Sequence, residues 1–365
     1  MNFNRAVIKV GSALVSPDNK GCSGKYLLAI ARFITECQQA GKEIIIVSSG
    51  SVAAGRQLIK HGSPIPSIPT KQAMASVGQM KMMANWQRFF DVPCSQLLIT
   101  HGDLKDRQRY INIKNTLRIL LENGVIPIVN ENDTVATDEL KVGDNDNLAA
   151  LVALVSEADC LFILSDIDGV YDQDPRDNPK AKLIPEINEI TAEIYAMAGT
   201  TQNVIATGGM KTKIQAAEKA VENGIDTYIL NGSRSDVFEK VLKGENPGTY
   251  FKAKQAANKA RKHWLKYILK SSGQVKLDVG AVNAVINKGA SVLPSGVNQV
   301  VGNFVAGESV DIIDANTQRV IAKGICQYSK QDLLRIMGSN SDEIIALLGC
   351  CPSKVIIHRD DLVIL

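Results

Sequence analysis

The segment NENDTVATDELKVGDNDN, residues 130–147, is the most informative part of the sequence for the expected fold. The apolar run Val125–Val129 precedes it and predicts a buried strand, which delivers Asn130 and Asp133 at its carboxyl end. Apolar residues then recur at helical spacing from Leu148 to Val155. A strand, a polar loop and a helix in this order are typical of an open α/β sheet, which binds ligands beyond the carboxyl ends of its strands.

The start of that helix is unusually polar. Capping a helix needs one Asp or Asn, yet four such residues stand in a row from Asp144 to Asn147. Ordinary capping accounts for one of them. We therefore expect the others, Asn145 and Asp146 among them, to contact a ligand.

Size and composition indicate a globular protein with two domains. The chain has 365 residues, 45% of them hydrophobic and 22% charged. No apolar run is long enough to span a bilayer, and the N-terminus lacks a signal-peptide core. The seven cysteines show no metal-binding spacing, so reduced thiols and a cytoplasmic location are expected.

Charge is distributed unevenly, although the net charge is only +3. The segment between Glu245 and Asp278 contains no acidic residue and eight lysines or arginines. We interpret residues 252–272 as a basic linker with a helical portion.

Strands and helices alternate before this linker and predict a mainly parallel sheet covered on both faces, an αβα sandwich over residues 1–251. After it, short strands and glycine-rich turns such as VKLDVGA, SVLPSG, VVGNF, ESVDIID and VIAKGI predict a small β-barrel over residues 273–365. The fold class is therefore α/β, an αβα sandwich with a mainly parallel central sheet followed by a small β-barrel domain.

Two glycine turns near the N-terminus suit an anion. Lys9 precedes Gly11 at the end of the strand RAVIKV, where an ammonium and a backbone N–H group would bind a phosphate, although a solvated lysine beside a turn is the more common origin of this pattern when it stands alone. Ser49 and Gly50 lie in a second turn from a strand into a helix. Neither turn has a Walker A or GxGxxG pattern, so the anion is either a phosphate or a carboxylate.

Two later segments suit a nucleotide. Ser165 and Asp166 end the strand CLFILSD, where Asp166 either reaches a ribose or phosphate or belongs to a plain Asp-Gly turn. The segment TGGMKTK, residues 207–213, opens a helix with two lysines in its first turn. Lysine there opposes the helix dipole, and such a conflict favours an anion site.

These strand ends favour phosphoryl transfer. Two lysines at glycine turns neutralise phosphate charge, and no histidine accompanies a serine or cysteine as in a nucleophilic relay. The lack of an evident general base favours an acceptor that is already ionised at neutral pH, such as a carboxylate.

The motifs VIKVGS, IIIVSSGSVAAG, KQAMASVGQ, DRQRYINIKNTL, VIPIVNENDTVA, KVGDNDNLAALVA and TGGMKTK resemble the amino-acid kinase family, in its glutamate 5-kinase branch. The segment from Gly273 to Ile312 resembles a PUA domain. The resemblance implies transfer of the γ-phosphoryl group of ATP, with Mg²⁺ on its phosphates, to the side-chain carboxylate of L-glutamate. That reaction is the first step of proline synthesis, and proline typically inhibits it.

The resemblance also implies roles residue by residue. Lys9 and Lys213 would flank the transferring group, and Asp146 would hold both lysines. Glutamate would be bound by Ser49, Gly50, Asn130, Asp133, Asp144 and Asn145. ATP would be bound by Lys9, Gly11, Ser165, Asp166, Thr207, Gly208, Gly209, Met210, Lys211, Thr212 and Lys213. No protein metal site is assigned. The chain departs from the family at Lys211, where a small residue is usual, and at Ile167–Asp168.

Further partners follow from the same resemblance: a homo-oligomer, the reductase that consumes glutamyl phosphate, and RNA at the PUA-like module, but no membrane. Three alternatives remain open. One is another kinase of this fold that acts on aspartate, acetylglutamate, carbamate or uridylate. Another is a protein whose main role is RNA binding, and the third is a metabolite sensor without catalysis.

Overall fold

The computed structural model describes residues 3–18, 21–60, 62, 65–136, 145–197, 209–254 and 271–365. The chain divides into two compact units, Met1–Ala257 and Asn258–Leu365. The division lies within the predicted linker 252–272, whose residues 255–270 are outside the described ranges, and the exact limits of the domains stay a prediction. None of the helices in the described part is long and apolar enough to cross a membrane.

The first unit is built on an eight-stranded sheet of order β3-β4-β2-β1-β5-β7-β8-β6. Each pairing from β3 through to β7 is parallel, so the carboxyl ends of six strands lie at one edge. Only β8 runs against its neighbour β7. The strands are β1 Arg5–Val10, β2 Glu43–Ser48, β3 Cys94–Ile99, β4 Ile126–Glu131, β5 Cys160–Ser165, β6 Glu186–Ile187, β7 Asp226–Asn231 and β8 Thr249–Phe251.

Helices cover both faces of this sheet, as the predicted αβα sandwich requires. One apolar core joins the sheet to α2, α4 and α10, and the other joins it to α6, α7 and α9. The helices of the unit are α1 Ser12–Val15, α2 Leu27–Gln39, α3 Ser51–Gly55, α4 Ile68–Gln87, α5 His101–Lys105, α6 Arg107–Glu122, α7 Asn145–Val155, α8 Ala192–Met197, α9 Met210–Glu222 and α10 Ser235–Leu242.

The central strand β1 shows how the sheet orients a polar side chain. Ala6 and Ile8 belong to the core under α2, while Val7 belongs to the core under α7 and α9. Because side chains alternate along a strand, Lys9 lies on the same face as Val7. The strand therefore directs the Lys9 side chain toward the helices α7 and α9.

The second unit contains a five-stranded sheet of order β10-β9-β11-β12-β13 around its own apolar core. Only the pairing of β9 with β11 is parallel. Its strands are β9 Gly273–Leu277, β10 Val297–Gly302, β11 Ser309–Asp314, β12 Val320–Ile325 and β13 Leu362–Ile364, and its helices are α11 Val279–Lys288, α12 Lys330–Ile336 and α13 Ile344–Leu348.

One prediction in this unit is wrong in detail. The strand predicted over VKLDVGA ends at Leu277, because Asp278 begins the helix α11 and its side chain accepts a hydrogen bond of 2.7 Å from the Ala281 N–H group. The segment SVLPSG contains one bridge, at Val292, and a turn of 3-10 helix at Pro294–Gly296. Proline cannot supply a ladder donor, which explains why a turn forms there and not a longer strand.

Two glycines let the helices α3 and α4 touch backbone to backbone. A Cβ atom on Gly78 would lie 1.8 Å from the Ser51 carbonyl oxygen, and one on Gly55 would lie 2.0 Å from the Met74 carbonyl oxygen. Only glycine permits this approach. It brings Ser51 and Gln79, the neighbour of Gly78, to the carboxyl edge of the sheet.

Gly78→Ala should lower the free energy of unfolding by about 1–3 kcal/mol or more, because the added methyl group overlaps backbone that cannot rotate away. The measurement is urea unfolding followed by circular dichroism. Gly102→Ala is the control, since its Cβ would be 3.5 Å from Thr100 Oγ1, an ordinary contact. Equal stability of the Gly78 variant and the wild type would contradict the close approach of the two helices.

Candidate active site

A buried charged triad lies at the carboxyl edge of the large sheet. Lys9 Nζ is 2.6 Å from Asp146 Oδ1, and Lys213 Nζ is 3.2 Å from Asp146 Oδ2. Thr212 Oγ1 donates a hydrogen bond of 2.8 Å to the same Oδ2 atom. The three charged residues are 6%, 1% and 5% exposed in chain order. The sequence proposed these residues as a group, and the structure brings them together.

Three separate elements supply the triad. Lys9 comes from the central strand β1, Asp146 from the first turn of α7, and Lys213 from the first turn of α9. A carboxylate is favoured at a helix N-terminus and an ammonium is disfavoured there. The ion pair with Asp146 therefore offsets the unfavourable position of Lys213, whereas Lys211 in the same turn is exposed.

The pKa of Asp146 is the result of opposing effects. Burial raises the pKa of this carboxyl. The charges of Lys213 and Lys9 and the hydrogen bonds from Lys9 and Thr212 lower the pKa, and together they outweigh the effect of burial. The net pKa lies well below the ordinary value, so the carboxylate is ionised at neutral pH. Two ammonium groups facing one carboxylate leave a positive charge for an anionic ligand.

A network of neutral side chains lies beside the triad. Asn145 Nδ2 donates hydrogen bonds to Ser49 Oγ at 2.7 Å and to Asn130 Oδ1 at 2.9 Å. Asn130 Nδ2 in turn donates to Gln79 Oε1 at 2.9 Å. Asn145 and Asp146 are consecutive, so the first turn of α7 joins this network to the triad.

Asp133 forms a second polar contact at the end of β4. Its Oδ2 atom accepts a hydrogen bond of 2.6 Å from Ser51 Oγ at the start of α3. Burial raises the pKa of the Asp133 carboxyl, the Ser51 hydroxyl opposes this, and the charge of Glu131 raises it further. A cation placed next to Asp133 would relieve the cost of burying this carboxylate.

The two predicted glycine turns have distinct geometries. Gly50 has φ of +107°, and a Cβ atom on it would lie 2.9 Å from Val15 Cγ1, so only glycine fits there. Gly11 has ordinary backbone angles, and its Cβ position is 3.7 Å from Lys9 Nζ. The backbone at Gly11 therefore lies against the triad.

The residues predicted to bind nucleotide lie at the end of β5 and the start of α9. Ser165 Oγ donates to Asp166 Oδ1 at 3.1 Å, and the Asp166 side chain is exposed. Gly209 is the N-cap residue of α9, and Met210 is half-buried. Asp144, Thr207 and Gly208 are outside the described residues.

Sequence reasoning missed several polar residues at this edge. Gln79 and Ser51 carry hydrogen bonds to predicted site residues, yet a polar residue on a helix gives no local signal of such a role. Asp168 was recognised only as a departure from the family. Its carboxylate accepts hydrogen bonds from Asn231 Nδ2 at 2.9 Å and Tyr171 OH at 3.1 Å.

Comparison with known proteins is consistent with this geometry. Residues 4–231 match the family model described as "Amino acid kinase family", and residues 273–348 match the PUA domain model. The chain belongs to the amino acid kinase family. Membership in this family makes it a phosphotransferase, and its second unit carries a PUA domain.

Curated relatives cover almost the whole chain. A glutamate 5-kinase from Idiomarina loihiensis is 52% identical over 100% of this chain and 98% of its own length. One from Salinibacter ruber is 50% identical with the same coverage, and one from Xanthomonas euvesicatoria is 45% identical over 98% of this chain and 100% of its own. This amino acid kinase is therefore similar to its relatives in both units.

The triad predicts a pH-dependent contribution to stability. Asp146→Asn should lower the free energy of unfolding by about 3–5 kcal/mol at pH 7, because both buried ammonium groups lose the charge of the carboxylate that they face. The pKa of Asp146 in the folded state lies below the ordinary value of 3.8 for this side chain. Its stabilisation is therefore fully present above about pH 4–5 and is lost as the pH falls through the folded-state value.

The difference between wild type and variant should thus be constant from pH 7 to about pH 5 and shrink below pH 4, as measured by denaturant unfolding. Asp236→Asn is the control, since this carboxylate forms exposed ion pairs with Arg234 and Lys240 that water screens. A difference that grows on acidification would contradict the assignment.

Proposed function

We propose that this kinase transfers the γ-phosphoryl group of ATP to the side-chain carboxylate of L-glutamate, forming L-glutamyl 5-phosphate. The single observation that carries the proposal is the buried arrangement of Lys9 and Lys213 around Asp146. The names of the relatives, glutamate 5-kinases with 45–52% identity over nearly the full chain, support the choice of acceptor.

Charge neutralisation explains why this triad suits the reaction. A glutamate carboxylate oxygen attacks the γ-phosphorus, a new P–O bond forms, and the bond to the bridging oxygen breaks so that ADP leaves with its electron pair. Both reactants are anions, and ammonium groups fixed on either side of the transferring group reduce their repulsion. The acceptor is ionised at neutral pH and needs no general base.

Asp146 acts through the lysines in this scheme. Each of its oxygens holds one ammonium group, at 2.6 Å from Lys9 and 3.2 Å from Lys213. Because these groups are nearly buried, their positions are fixed before substrate arrives. Such preorganised charge stabilises a transition state without reorganisation of the site.

The substrate residues divide by charge. Asp133 pairs with the α-ammonium group, and the neutral side chains of Ser49, Asn130 and Asn145 orient glutamate by hydrogen bonds. Gly50 and Asp144 are further substrate-binding residues. The nucleotide-binding residues in this scheme are Lys9, Gly11, Ser165, Asp166 and residues 207–213. The exposed Lys211 is then a further cation for the nucleotide phosphates.

Mg²⁺ would be held mainly by the phosphates of ATP. Within the described ranges no three metal-binding side chains form a cluster, and both oxygens of Asp146 face ammonium groups. The donor set therefore fits a metal that arrives with the nucleotide. When bound, Mg²⁺ would neutralise phosphate charge and align the phosphates.

The product places the reaction at the start of proline synthesis, with proline as a feedback inhibitor and a reductase as the next enzyme. A homo-oligomer and RNA binding by the PUA domain belong to the same proposal. An RNA-binding role alone would leave the buried triad without a purpose. Another acceptor within the family, such as aspartate, is the principal alternative.

Product trapping tests the proposal directly. The purified protein is incubated with ATP, Mg²⁺, L-glutamate and hydroxylamine, which converts an acyl phosphate into a hydroxamate. We expect hydroxamate formation that depends on glutamate, and little with L-aspartate or N-acetylglutamate. ADP release without hydroxamate, or a clear preference for aspartate, would refute the proposed acceptor.

Lys9→Ala and Lys213→Ala should each lower kcat by at least about a hundredfold, the scale expected for losing one preorganised charge contact in the transition state. The measurement is steady-state kinetics of the hydroxamate assay. Lys211→Ala is the matched control in the first turn of α9: its side chain is exposed, so a smaller effect, confined to the KM for ATP, is expected. Unchanged turnover of either triad variant would remove that lysine from the reaction.

Asp133→Asn should raise the KM for L-glutamate by about tenfold or more while the KM for ATP changes little, because the amide loses the charge that pairs with the α-ammonium group. The substitution preserves shape and an acceptor for Ser51. Parallel increases of both KM values would contradict this role.

A further inference from the structure

The helix α4 reaches the site through one buried amide. Gln79, on this helix, is 7% exposed and accepts a hydrogen bond of 2.9 Å from Asn130 Nδ2. Its own Nε2 atom donates to Gln96 Oε1 at 3.5 Å. Gln79 thus stands at the start of a chain of side-chain amides that leads through Asn130 to Asn145.

The direction of these hydrogen bonds decides which atoms of Asn145 stay free. Asn145 Nδ2 uses its two hydrogens on Ser49 Oγ and Asn130 Oδ1. Asn145 Oδ1 is buried and accepts no hydrogen bond among the described residues. A buried acceptor without a donor costs about 1–3 kcal/mol, so the atom points to a hydrogen-bond donor on the ligand.

A side-chain amide fits its pocket in two orientations that exchange oxygen and nitrogen, and its partners select one of them. Asn130 offers its oxygen to Asn145 only while its own nitrogen faces an acceptor. Gln79 Oε1 is that acceptor. Loss of this oxygen removes the preference at Asn130, and Asn145 then no longer presents its oxygen consistently.

We propose that Gln79 is a positioning residue that fixes the amide orientation of Asn130 and, through it, directs Asn145 Oδ1 toward a donor of the amino-acid substrate. The inference rests on the proposed function, because the donor is then the α-ammonium group. This group carries three N–H donors, enough for both Asp133 and Asn145. An amino acid with a free amino group satisfies both acceptors, and an N-acylated one does not.

Three variants test this role. Gln79→Met removes the amide with little change in length, and Gln79→Glu keeps an oxygen that accepts from Asn130. Gln87→Met is the matched control on the same helix, since the hydrogen bonds of its amide within the described part of the chain are with the backbone of Phe90, Val92 and Cys94. If Gln79→Met does not fold, Gln79→Ser, which also removes the amide, replaces it.

Kinetics supplies the first readout. Gln79→Met should raise the KM for L-glutamate about tenfold, with the KM for ATP within about twofold and kcat within about threefold of wild type, as expected when one hydrogen bond to the substrate is lost. Gln79→Glu should restore the KM for glutamate to within about threefold of wild type, and Gln87→Met should change neither KM. Equal impairment of the Met and Glu variants, or equal changes in both KM values, would overturn the proposal.

A second readout does not depend on turnover. Hydrogen exchange of the Asn145 side-chain amide, assigned in ¹⁵N spectra by its loss in Asn145→Asp, should be slow in wild type and Gln79→Glu and at least about tenfold faster in Gln79→Met. Unchanged exchange in Gln79→Met would overturn the relay. Failure of wild-type protein to form hydroxamate would instead refute the proposed function, so the two failures are distinguishable.

Discussion

The buried carboxylate of Asp146 is the constraint on which the site depends. Each of its two oxygens forms an ion pair with one ammonium group, Lys9 from β1 and Lys213 from α9. These two elements are separated by about two hundred residues of sequence. Removing three charges from water costs several kcal/mol for each ion, and apolar side chains of similar volume often give equal or greater stability. The triad is therefore poorly explained by stability alone and well explained by the anion that its excess positive charge attracts.

The topology of the sheet fixes the position of Lys9, one partner of Asp146. β1 is flanked by parallel neighbours on both sides, and it carries Lys9 in a register fixed over its whole length. Since the adjacent strands run in the same direction, the residues that follow β2, β4 and β5 meet at the same edge. The glycine at position 50, with its positive φ, turns the chain there without a side chain in the way.

The sequence was informative where local patterns and chemistry coincide. An apolar strand that ends in polar residues predicted that Asn130 and Asp133 belong to a ligand site. The position of Lys213 in the first turn of a helix, where lysine opposes the helix dipole, predicted that it belongs to an anion site. Gln79 could not be found in this way, because its contact with Asn130 depends on the backbone approach of α3 and α4 at Gly78, which is a tertiary feature. In the second unit, the helix that begins after Asp278 was not predicted, because the apolar residues of VKLDVGA are also typical of a strand.

The first turn of α7 connects the two polar groups of the candidate site. Asn145 belongs to the neutral amide network and Asp146 to the charged triad, and consecutive Cα atoms are only about 3.8 Å apart. A helix turn is stiff, so any shift of Asn145 would also move the carboxylate that positions both lysines. Under the proposed function, a substrate bound through the amides would therefore lie at a fixed distance from the ammonium groups. An acid with a shorter or longer side chain would bind the same amides but would place its carboxylate at the wrong distance from the ammonium groups. Such acids would therefore differ from glutamate more in the rate of phosphoryl transfer than in binding affinity.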